Sequence, residues 1–196
     1  MQAAGSKRLN LFVFLMFAAL LGVLFGTLIY CYVSGDLLSS LSVMREGFLK
    51  TRLDADFGQL LLKSFGTGLL FLVCIYLLGL CAAGQPFTVL VLIYRAVGIG
   101  AAAASVFSAY GKGGITLFAF LLLPEGAASL LILVLAARES ISMSGIVFRM
   151  LLGSFDDRHM PDITKLYSVK MLVLLAGTGA AALLQSLLII AYKAIS

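Results

Sequence analysis

Between Gly84 and Arg138 the chain runs through two apolar stretches, each long enough to cross a bilayer, joined by Gly111-Lys112-Gly113-Gly114. Each stretch carries one charge in its interior: Arg95 in the first and Glu125, directly after Pro124, in the second. A charge at mid-membrane costs roughly 2.5–3.5 kcal/mol on insertion scales, so a chain that keeps two must pair them or use them. Counted along a helix, Arg95 falls roughly 13 Å inside Pro86, and Glu125 roughly 15 Å inside Ile115 from the opposite face. In a hydrocarbon core of about 30 Å both positions come near the midplane. So short a turn makes the two helices antiparallel neighbours, which predicts an Arg95–Glu125 pair locking a hairpin, with Pro124 kinking the second helix beside it.

Composition sets the class in which this hairpin sits. Of 196 residues 62% are hydrophobic and only 12% charged, and the mean hydropathy is +1.11. These values exclude an ordinary soluble domain and predict an all-α, polytopic integral membrane bundle in which residues 1–196 form one domain. The net charge of +5 is spread among loops, which suits anionic lipid headgroups and not nucleic acid. Five spans are expected, at about 11–33, 65–82, 87–110, 115–137 and 171–192, with amphipathic connectors over 34–63 and 138–170. Lys7 and Arg8 precede a first apolar run that is too long for a signal-peptide core and lacks a small-residue cleavage site. This run is expected to be retained as a span, with the N-terminus in the cytoplasm of a bacterial cell.

Small residues mark where helices should approach closely. Gly22 and Gly26 form a small-xxx-small pair in the first span, and Gly98 and Gly100 open an alanine-rich half of the third. In the first connector Leu41, Met44 and Phe48 share a helical face, and Phe57 belongs to a second face with Leu49, Leu53 and Leu60. Leu41, Met44, Phe48 and Phe57 are the expected docking surface for a partner on the outer side.

The chemistry-bearing residues assemble into no catalytic pattern. Cys31, Cys74 and Cys81 lie in apolar segments, the sole histidine is His159 in a polar loop, and Gly98-Ile99-Gly100 follows no strand. Asp54, Asp56, Asp156 and Asp157 lie in polar connectors. No catalytic residue, cofactor or metal is therefore expected.

The ordered set Gly22 to Gly26, Leu78-Gly79, Gly84-Gln85-Pro86, Arg95-Ala96-Val97-Gly98-Ile99-Gly100, Gly111-Lys112-Gly113 and Leu123-Pro124-Glu125 resembles the stage II sporulation protein M family over roughly residues 11–150. The resemblance implies a non-enzymatic scaffold of the mother-cell membrane at the sporulation septum. There it would recruit peptidoglycan-degrading partners resembling stage II sporulation proteins D and P during engulfment. The alternative expectation, from the residues themselves, is a small transporter or channel subunit working through Arg95 and Glu125.

Overall fold

The computed structural model describes residues 2–32, 57–110, 123–153 and 160–195. They form five helices: α1 (Gln2–Tyr32), α2 (Phe57–Leu80), α3 (Gly84–Tyr110), α4 (Leu123–Leu151) and α5 (Met160–Ile195). Even the shortest, α2 with 24 residues, extends roughly 36 Å, more than the hydrocarbon thickness of a bilayer. All five are long and apolar enough to cross a membrane. The protein is an all-α, multi-pass membrane bundle.

Polarity does not distinguish the inner from the outer faces of these helices, because both are apolar; size does. Along α1 the exposed positions include Val13, Phe14, Phe17, Leu20, Leu24 and Leu28, whereas Leu15, Ala18, Ala19, Gly22 and Gly26 are buried. Large side chains outward and small ones inward is what a bilayer demands, since lipid solvates leucine as well as protein does and only close backbone packing favours association. Buried residues of α3 recur every fourth position at Gly84, Thr88, Leu92, Ala96 and Gly100, and the Ala96–Gly100 end of this row meets Gly22 and Val23 of α1. Leu15, Ala19, Ile75, Leu92, Ala96, Val134 and Ala137 join in one core across α1 to α4, which Tyr167 and Met171 of α5 complete.

Three expectations are corrected. The fourth span was expected over 115–137 with a kink at Pro124. The helix described over Leu123–Leu151 runs well past 137; residues 115–122, and with them the stretch on which the expected kink depends, lie outside the described residues. The connector expected over 138–170 is mostly helix continuous with its neighbours. Arg138 and Glu139 lie mid-way along α4, while Lys165 and Lys170 belong to α5. Of the first connector, residues 34–56 lie outside the described residues, and 57–63 are the start of α2.

The reversal between α2 and α3 is tied down from outside. Cys81 N donates to Leu78 O at 3.1 Å and Gly84 N to Cys81 O at 3.1 Å. Ser144 of α4 then donates to the Cys81 carbonyl at 2.8 Å, with the Ala82 carbonyl at 3.2 Å. One turn up α4, the buried Ser140 hydroxyl donates to Ile75 O at 3.0 Å and stands 3.2 Å from Thr88 Oγ1. Serines at this spacing give one face of α4 a ladder of hydroxyls reaching both flanking helices. Ser144→Ala leaves the turn carbonyls without their side-chain donor, and the expected cost is about 1–2 kcal/mol, measurable by thermal unfolding in detergent.

Candidate functional site

Polar groups gather toward the end of the bundle where α4 begins. Glu125, in the first turn of α4, accepts hydrogen bonds from two helices. The Ser64 hydroxyl of α2 lies 3.1 Å from Oε1, and the Gln185 amide of α5 donates to Oε2. Ser64 Oγ also stands 2.8 Å from Gln185 Oε1, so its single proton serves one of the two acceptors at a time. Gln185 is 2% exposed. An amide buried in a membrane bundle needs partners, because lipid offers none. Ser64, Glu125 and Gln185 thus tie α2, α4 and α5 together at one level.

Arg95 enters from α3. It lies roughly 16 Å along the axis from Gly84, near mid-membrane when counted from that end. Its guanidinium carbon sits 5.2 Å from the centroid of the Phe71 ring, within cation–π range. Phe71 in turn leans against Tyr94 at 6.3 Å between centroids. Arg95 and Glu125 line one cavity with Ser64, Gly68, Ser129 and Thr178, and its volume is about 20 Å³. That is room for a single water molecule. The structure therefore brings Arg95 and Glu125 to the same cavity.

The four glycines divide. A Cβ on Gly22 would meet the Ala96 Cβ at 2.8 Å and the Ile93 carbonyl oxygen at 3.2 Å. On Gly26 it would stand 2.9 Å from the Val97 Cα, and on Gly100 3.0 Å from the Val23 Cα, each with a carbonyl oxygen closer still. These three glycines set the contact between α1 and α3. Gly98 is not part of it: it is exposed and nothing lies within 4 Å of its would-be Cβ. Of the expected docking residues, Leu41, Met44 and Phe48 lie outside the described residues, and Phe57 opens the backbone of α2.

Two constellations were not anticipated from sequence. Ser64 and Gln185 are recognisable only as isolated polar residues in apolar runs, with nothing in the sequence to say that they meet Glu125. The other is a charged cluster near the α2–α3 turn. Glu139 Oε1 lies 2.8 Å from an Arg138 amino group, and Oε2 lies 2.6 Å from Lys170 Nζ. Beside it Tyr76 and Tyr167 stack at 5.3 Å, Tyr167 Oη donates to Tyr76 O at 3.1 Å, and Tyr76 Oη meets Ser168 Oγ at 3.1 Å. Gly79 makes room for that ring: a Cβ there would be 2.8 Å from Tyr167 Cζ and 3.0 Å from Ser140 Oγ.

Compared with protein families, with curated proteins and with solved structures, the chain shows no match.

Proposed function

We propose that this protein is a non-enzymatic membrane scaffold that recruits and localises peptidoglycan-degrading partners during septal-wall remodelling in endospore formation. The observation that carries the scaffold reading is the cavity at Arg95 and Glu125. Its volume of about 20 Å³ is that of a site for one water, and the polar groups around it bond across helices. Such a site fits a bundle held in one shape better than a path for a solute. The recruitment of wall hydrolases rests on the ordered motifs from Gly22 to Glu125 and their resemblance to the stage II sporulation protein M family. The orientation follows from Lys7 and Arg8, which place the N-terminus and the α2–α3 turn in the cytoplasm. Residues 34–56 then face outward, where a wall-directed partner would be met.

The test is capture of the tagged full-length chain in mild detergent from sporulating cells of an endospore former. Wall-degrading enzymes should co-purify at near-stoichiometric yield, and their absence from an intact, folded preparation overturns the assignment. Orientation is tested separately by labelling single cysteines placed at Ser39 and at Arg158. Ser39→Cys should react with an impermeant maleimide in whole cells and Arg158→Cys only after lysis.

A further inference from the structure

Arg138, Glu139 and Lys170 occupy one end of a groove between α4 and α5 whose remaining lining is Leu135, Val169, Val173 and Leu174. The groove has a volume of about 340 Å³ and opens on the outside of the bundle. Its side chains are not sealed in: Arg138 is 30% and Lys170 38% exposed, against 16% for Glu139. Two cations share one carboxylate, so a positive charge is left over where the groove opens to lipid.

The polarity of the groove has a direction. Ser144 bonds the α2–α3 turn, and Glu139 lies roughly 8 Å further along α4, on the turn's side of the midplane, from where the long Arg138 and Lys170 side chains can extend toward the headgroups. From there Leu135 on α4 and Val173 and Leu174 on α5 continue toward the bundle centre. The order is cationic toward the interface and apolar inward. A phospholipid has the complementary order: its phosphate stays at the interface and its chain runs inward.

We propose that this groove holds an anionic phospholipid, with the phosphate against Arg138 and Lys170 and one acyl chain along Leu135, Val173 and Leu174. The leftover charge selects an anionic headgroup over a zwitterionic one, and the apolar walls select a lipid over a free anion. Glu139 competes with the phosphate for both cations and so weakens binding while holding the two side chains in place.

The full-length protein is reconstituted in an equimolar mixture of phosphatidylglycerol and phosphatidylcholine, and retained lipid is counted by native mass spectrometry. Preferential retention of phosphatidylglycerol is expected. Arg138→Gln and Lys170→Gln should each reduce the preference about fivefold, and Glu139→Gln should raise it. Should the charge variants fail to fold, Val173→Trp fills the groove with the ion cluster intact, and it should expel the lipid from a folded protein. Equal retention of the two lipids, or an unchanged preference in a folded protein carrying both Arg138→Gln and Lys170→Gln or in folded Val173→Trp, overturns the proposal. So does displacement of the lipid by soluble glycerol phosphate, or by an oligoglutamate peptide, which would assign the cations to an anion without a chain or to an acidic protein segment.

Discussion

Gly26→Leu should separate α1 from α3 and cost the purified protein about 3 kcal/mol or more, seen as a large fall in thermal midpoint in detergent. The position tolerates no side chain because a Cβ there would lie 2.9 Å from both the carbonyl carbon and the Cα of Val97. Backbone atoms of a helix cannot turn aside as a side-chain end can, so the two helices must part. Parting them also loosens Gly22 on Ala96 and Gly100 on Val23, which depend on the same approach. Overpacking in soluble cores costs about 1–3 kcal/mol. The cost here is placed at the top of that range because three contacts open together. Gly98→Leu is the control, since Gly98 has nothing within 4 Å of its Cβ position. It should shift stability by no more than about 1 kcal/mol, in the stabilising direction if helix propensity governs. Equal losses from the two substitutions would show that the glycines act through helix propensity and not through the crossing.

The contrast between Gly98 and Gly100 also shows what was legible in the sequence. The helical class and the number of long apolar helices follow from composition and run length, because lipid leaves the backbone few alternatives. That Gly22 and Gly26 form a close-packing pair follows from their spacing of four. Gly98 and Gly100 were grouped by composition, yet residues two apart on a helix point about 200° away from each other, and only one can face α1. Helix ends were the least legible feature. Arg138 looks like the end of a span, but Glu139 offsets its charge and also pairs with Lys170, and α4 and α5 run through the cluster unbroken. The partners of Glu125 were hidden for a different reason: Ser64 and Gln185 are brought to it by tertiary packing over sequence separations that no local pattern spans.

Arg95→Leu should cost about 3–5 kcal/mol, because it takes the cation from the cavity that Glu125 lines and removes the contact with Phe71. Glu125→Leu should cost a comparable amount, taking the carboxylate from the cavity that Arg95 lines and an acceptor from Ser64 and Gln185. The double change Arg95→Leu with Glu125→Leu should recover much of the loss, since replacing both members of a buried charged set by apolar groups is far cheaper than removing one. The coupling is the difference between the double variant and the sum of the singles, and a value near zero would mean that the two charges do not compensate each other. Gln185→Leu separates the hydrogen-bond contribution, and its expected cost is lower, about 1–3 kcal/mol, because Glu125 keeps Ser64. The same double variant distinguishes the two functional readings. A scaffold needs the bundle's shape and not its charges, so a folded double variant should still capture wall-degrading partners at wild-type yield. A relay through Arg95 and Glu125 would instead be abolished in a protein that remains stable, and loss of function with full stability would transfer the assignment to transport.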